Sequence, residues 1–197
     1  DNDDDFELNN DLESANIKLV ISEFENVFST SLKKIKNKNY KWIKREKDKL
    51  QFELMFGGSE RLDQIKDLLK YMHIKDDFML FLLSKFHSKL MIELCKKVGI
   101  NDWLTSKLGK NKLSHIIGYE SAINDKTSGK KELLVLRLME FLRQKHENVL
   151  YIGNDPEICS KMKKLNVCYV YQCTTSLIPK DFDALKKLYF NNNQNDT

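Results

Sequence analysis

"IKLVISEFENVFST", residues 17–30, opens as an apolar, β-branched run and breaks off on two glutamates, Glu23 and Glu25, either side of Phe24. Ile17, Leu19, Val20 and Ile21 are strand formers of the kind that fill a sheet buried on both faces. An acidic pair directly after them is not core usage, so the stretch reads as a strand whose end carries a site. Working outward, four more runs have the same character: "DFMLFLLS" (77–84), "HIIGY" (115–119), "VLYIGN" (149–154) and "VCYVYQC" (167–173). Between them lie segments with helical spacing at 59–72, 88–100, 130–146, 156–165 and 181–190. Ser59 is a candidate N-cap, Pro156 suits a first helical turn and Gly99 a helix stop. Apolar strands alternating with amphipathic helices predict a doubly wound α/β fold with a parallel sheet. Ligands of such folds sit beyond the carboxyl ends of the strands, which singles out Glu23, Glu25, Ser84, Gly118 to Glu120, Asn154 and Asp155.

Composition bounds the function classes. The 197 residues are 41 % hydrophobic, enough for one domain with a core, and 31 % charged with a net charge of +4. That small excess by itself argues for neither a nucleic-acid binder nor a membrane binder. The four cysteines lie in apolar segments without a CxxC pair, and read as buried thiols of a reducing, cytoplasmic compartment or cytosolic face. No apolar run approaches the roughly 20 residues that span a bilayer. The start "DNDDDFELNN" does not have the layout of a signal peptide; residues 1–16 read as an acidic, flexible head, and the missing initiator methionine as the mark of a segment cut from a longer chain. His73, His87, His115 and His146 share no spacing and read as surface or packing residues. The tail 191–197, "NNNQNDT", is polar, low in complexity and expected to be disordered.

Residues 31–58 interrupt the alternation. Leu50, Phe52, Leu54 and Phe56 alternate in "LQFELMF", which predicts a hairpin with "YKWI" as its other strand; a helix over 40–55 is the competing reading. Lys33 to Lys49 holds nine basic residues against Glu46 and Asp48, with Tyr40 and Trp42 interleaved. Such a patch is a solvated face or a contact surface for an acidic partner, with Lys41, Trp42, Lys44 and Arg45 as the contact residues; nucleic acid is the less favoured partner.

Taken in order, four stretches resemble the four motifs of the haloacid dehalogenase (HAD) superfamily of phosphatases and phosphotransferases, over about Ile17 to Phe190: "LVISEFENVF", "FLLS" ending at Ser84, "NDKTSGKKELL" with Lys126, Lys130 and Lys131, and "VLYIGNDPEICSKMKKLNV". The resemblance implies a Rossmann-like domain over 17–190, with the insertion at 31–58 as a flap or small cap over the site. It places Glu23 and Glu25 on the two aspartates of the first motif, and Ser84 and a lysine on the groups that hold phosphate. Asn154 falls where the fourth motif has its first acid, and Ile158 at the commonest place of the second.

In active members the first aspartate attacks phosphorus, the second serves as general acid and base, and Mg²⁺ bridges nucleophile and phosphate. The resemblance thereby implies catalytic roles for Glu23, Glu25, Ser84 and Lys130, phosphate binding by Ser84, Lys126, Lys130 and Lys131, and Mg²⁺ binding by Glu23, Glu25, Asn154 and Asp155. Glutamate carries the same group on a longer stem, and a displacement of roughly an ångström costs about 10²-fold in rate. A neutral Asn154 also weakens a site for a hard dication. The expected function is a catalytically impaired domain, a pseudophosphatase acting as a binding or scaffold module without a cofactor. The alternative is a divergent Mg²⁺-dependent phosphatase using Glu23, Glu25 and Asp155. Each residue also has a plainer reading: Ser84 as the start of a turn, the lysines as a solvated face, Asp155 as the N-cap before Pro156.

Overall fold

A computed structural model describes Leu12 and residues 15–73, 79–108, 111–120 and 130–191. Its strands are β1 (Leu19–Glu23), β2 (Met79–Leu83), β3 (Thr105–Leu108), β4 (Asn111–Ser114), β5 (Ile116–Ile117), β6 (Val149–Gly153) and β7 (Tyr169–Gln172). Five of them form one sheet in the order β5-β2-β1-β6-β7, every neighbouring pair parallel. β1 is central, as its uninterrupted apolar run predicts, and all five of its residues are buried. The register sets Glu23 opposite Leu83 and Ser22 opposite Ile152, so the three middle strands end at one level.

The pleat divides the core in two. Val20, Leu80, Leu82, Leu150 and Ile152 face α3 (Ser59–His73), α4 (Ser88–Val98) and α7 (Pro179–Asn191). Leu19, Ile21, Phe81, Leu83, Val149 and Tyr151 face α5 (Lys131–Phe141) and α6 (Pro156–Lys164). Period-two side-chain alternation puts Glu23 on the second face, with Leu19 and Ile21. Two of the start and stop signals operate as expected: Gly99 closes α4 in the left-handed region at φ 78°, and Pro156 lies in the first turn of α6 behind Asp155; Ser59 is instead the first residue of α3. β3 and β4 form a separate antiparallel pair, which the sequence reading did not anticipate.

The hairpin expected over 31–58 does not form. Tyr40–Arg45 is helix α1 and Lys49–Leu54 is helix α2. Asn39 and Asp48 act as N-caps, their Oδ1 atoms accepting from Trp42 N–H at 3.1 Å and Leu50 N–H at 3.0 Å. The alternation that suggested a strand is two i,i+4 pairs: Phe52 and Phe56 are fully buried, whereas Leu50 and Leu54 are 61 % and 54 % exposed. A strand would have placed all four on one side. Helices let the segment bury the two aromatics and leave the leucines outside.

Arg61 ties this insertion to the sheet edge. Its guanidinium donates to the carbonyls of Val27 (2.9 Å), Phe28 (2.6 Å), Phe56 (2.7 Å) and Leu177 (3.0 Å). Gly57 makes the turn beside it at φ 89°, where a Cβ would lie 2.8 Å from the Arg61 side chain. All four cysteines are free and buried, as expected. No helix among the described residues is long and apolar enough to cross a membrane. Of the acidic head, Leu12 is described and buried, while residues 1–11, 13 and 14 lie outside the described residues; so do 192–197 of the tail, whose Asn191 instead ends α7.

Candidate active site

Glu23 ends the central strand with its side chain only 4 % exposed. A carboxylate that deep must be hydrogen-bonded, and it is. Its Oε1 accepts from the Lys131 ammonium and from the Tyr151 hydroxyl at 2.7 Å, and its Oε2 from Asn154 N–H at 3.2 Å. The partners follow from topology: Tyr151 projects from β6 on the same face, Lys131 opens α5 above that face, and Asn154 is the first residue past β6. The Tyr151 ring folds across Gly153, where a Cβ would stand 2.6 Å from it, so only glycine admits this path to Glu23. Burial, reinforced by the negative charge of Glu23, pushes the tyrosine far above its usual titration range and keeps its proton as a donor.

Glu25 goes elsewhere. After Phe24 the chain is extended at Glu25 and left-handed at Asn26 (φ 59°), which swings the Glu25 side chain toward β2. Its Oε1 accepts the Ser84 hydroxyl proton, and its Oε2 accepts Lys85 N–H at 3.3 Å. Ser84, 8 % exposed, in turn accepts Phe86 N–H at 3.0 Å. Burial raises the Glu25 carboxyl above its ordinary value, with the Ser84 hydrogen bond opposing the rise. Arg61, through Val27 and Phe28, anchors the loop immediately after it.

The convergence expected of Glu23, Glu25, Ser84 and Asn154 at one end of the sheet is therefore present. Other assignments are corrected. Of the lysines, Lys131 reaches Glu23; Lys130 is exposed at the start of α5, and Lys126 lies outside the described residues. Asp155 has the capping role that its place before Pro156 suggested: its Oδ1 accepts from Glu157 N–H at 3.0 Å and Ile158 N–H at 3.3 Å. Glu120 caps α4 through Ser88 N–H at 2.9 Å. Lys41, Lys44 and Arg45 are exposed on α1, but Trp42 is half-buried, packed edge-on against Phe52 with centroids 5.9 Å apart. The histidines are as expected: His115 is buried and stacked on Phe81, its pKa pushed down to about 4 by that burial, and His87 caps α4. Sequence reasoning missed Tyr151 and Arg61; the one signal for Tyr151 was a polar-tipped aromatic on the strand next to Glu23, two residues before a glycine.

Mg²⁺ asks for several oxygen ligands in octahedral array. Glu23 brings a carboxylate already bound to a cation and a hydroxyl, Asn154 faces it with a backbone N–H, and one oxygen of Asp155 is committed to capping α6. Among the described residues no three His, Cys, Asp or Glu side chains are grouped to hold a metal ion. The donor set as arranged does not fit the ion.

No family model matches the chain, and no curated protein matches it in sequence. Solved structures do match in fold. The chain is similar to 3-deoxy-D-manno-octulosonate 8-phosphate phosphatase from Moraxella catarrhalis, solved in complex with magnesium ion, phosphate ion and a KDO molecule, with 15 % identity, 93 % of this chain and 94 % of that chain covered, and a TM-score of 0.51. It is also similar to the phosphatase of the same description from Yersinia pestis, with 14 % identity, 93 % and 86 % covered, and a TM-score of 0.50. The fold is thus the Rossmann-like α/β fold of HAD phosphatases, as the motif order led one to expect.

Proposed function

We propose that this domain is a phosphatase-fold binding module that engages a phosphorylated ligand at the carboxyl end of its sheet, with turnover impaired. One observation carries the reading: Ser84 and Lys131, the groups suited to hold phosphate oxygens, are engaged by the chain's own Glu25 and Glu23. A carboxylate that already accepts from an ammonium and a phenol is a poor nucleophile, since those bonds must be broken or stretched before its lone pair meets phosphorus. The added methylene of glutamate compounds this by displacing the attacking oxygen. The lack of fit to Mg²⁺ points the same way.

The second reading, a divergent Mg²⁺-dependent phosphatase, is favoured by the fold likeness to two phosphatases, one of them bound to magnesium and phosphate. It requires Glu23 and Glu25 to leave their present partners. Turnover of p-nitrophenyl phosphate with and without Mg²⁺ separates the two. The binding-module reading expects rates near background, rising when Glu23→Asp, Glu25→Asp and Asn154→Asp are combined. Robust Mg²⁺-dependent turnover by the unmodified domain, lost in Glu23→Ala, would establish the phosphatase reading instead. The exposed cations of α1 give such a module a second surface, one whose charge suits an acidic protein partner.

A further inference from the structure

Resting on the reading of this edge as a phosphate-binding one, we infer that the Glu25 carboxylate is a built-in occupant of an oxyanion cradle formed by the Ser84 hydroxyl and the Lys85 backbone N–H, and must withdraw before an external phosphate enters. The two donors come from adjacent residues at the end of β2 and take one oxygen each of the same carboxylate. Two donors that take the two oxygens of one carboxylate can likewise take two oxygens of one phosphate group. The cradle has a firm base, because Ser84 N–H bonds the Ile117 carbonyl at 2.8 Å and Phe86 N–H bonds the Ser84 hydroxyl oxygen.

The occupant is delivered by its backbone. Left-handed Asn26 turns the chain directly after Glu25, and Arg61 pins the Val27 and Phe28 carbonyls just beyond, so the carboxylate rests on a fixed stalk. Its direct hydrogen-bond donors are both neutral groups at a partly buried spot, and the Lys85 ammonium acts on it from further off. Donors that hold the oxygens of one anion are open to the oxygens of another. Lys131 stands across the edge on Glu23 and Lys85 is exposed beside the cradle, so an incoming anion meets positive charge on arrival. The ligand class is a tetrahedral oxyanion, a phosphate group free or on an ester.

Inorganic phosphate titrated calorimetrically into wild type, Glu25→Ala, Glu25→Gln and the double variant Glu25→Ala with Ser84→Ala tests this. Emptying the cradle in Glu25→Ala is expected to tighten phosphate binding about tenfold or more, the scale of a hydrogen bond to a charged group. Glu25→Gln, whose amide oxygen can still accept from Ser84 while its NH2 cannot accept from Lys85 N–H, should fall between wild type and Glu25→Ala, and the double variant should lose the gain. Equal binding by wild type and Glu25→Ala would overturn the occupant while leaving the phosphate-binding reading intact. Binding by neither would overturn both. Glu25→Gln as tight as Glu25→Ala would mean that relief of charge repulsion, and not vacating the cradle, is the cause, and would also overturn it. Should Glu25→Ala fail to fold, wild type in a high-phosphate titration gives the answer: displacement of Glu25 shifts the Lys85 and Phe86 amide resonances, and unmoved signals overturn the inference.

Discussion

The carboxyl edge of the sheet and the inserted helices α1 and α2 are both rich in charge, but the charges are used in opposite ways. At the edge, Glu23 is withdrawn from water and Glu25 is partly buried, and each is held by two or three donors from other elements. On the insertion, Lys41, Lys44 and Arg45 face solvent, and the nearest fixed partner of Lys44 is Glu93 at 3.8 Å on the surface of α4. A buried charge must be satisfied by the fold and so becomes part of its stability; an exposed one costs the fold little and is free to meet something else. The edge is thus tied to folding, and the charges of the insertion surface are not.

Arg61, which joins the two regions, offers the sharpest way to break that contrast. Arg61→Met leaves four carbonyls short of a charged donor at once and is expected to cost about 3 kcal/mol, lowering the melting midpoint by roughly 10 °C. A drop of only a degree or two in a thermal melt would show that the insertion holds to the edge without it. Tyr151→Phe is a smaller, cleaner change: the ring keeps its path over Gly153, but Glu23 loses one of three donors. The expected loss is about 1–2 kcal/mol in urea unfolding with an unchanged slope. Stability equal to wild type would mean that Lys131 and the Asn154 amide satisfy Glu23 unaided. The smallest effect is expected where the charges are exposed. Lys41→Glu, Lys44→Glu and Arg45→Glu together should shift stability by less than about 0.5 kcal/mol each, while abolishing recovery of acidic partners in a pull-down. If the same partners are recovered by both versions, the insertion is a solvated face and nothing more.

How well each region could be read from residues alone follows the same division. Hydrophobic period and punctuation signals are local, so the strands at 17–24, 77–84, 149–154 and 167–173 and their helices were legible, and with them the central place of β1. The insertion was misread because Leu50, Phe52, Leu54 and Phe56 satisfy period two and i,i+4 spacing equally. Only a packed partner, Phe24 against Phe56 at 5.8 Å and Trp42 against Phe52, selects between them.

At the site, the sequence by itself determined which acids end the central strand and that Ser84 and Asn154 end its neighbours, because strand ends in a parallel sheet fall at one level. Tertiary structure alone decided their pairing. Whether Lys126, Lys130 or Lys131 answers Glu23 depends on where α5 begins over the sheet; whether Asp155 faces the site or caps α6 depends on the turn after β6. That Tyr151 reaches Glu23 depends on two strands 128 positions apart lying side by side. Such choices are set by the relative placement of elements distant in the chain, and the local periodicities that reveal the elements say nothing about them.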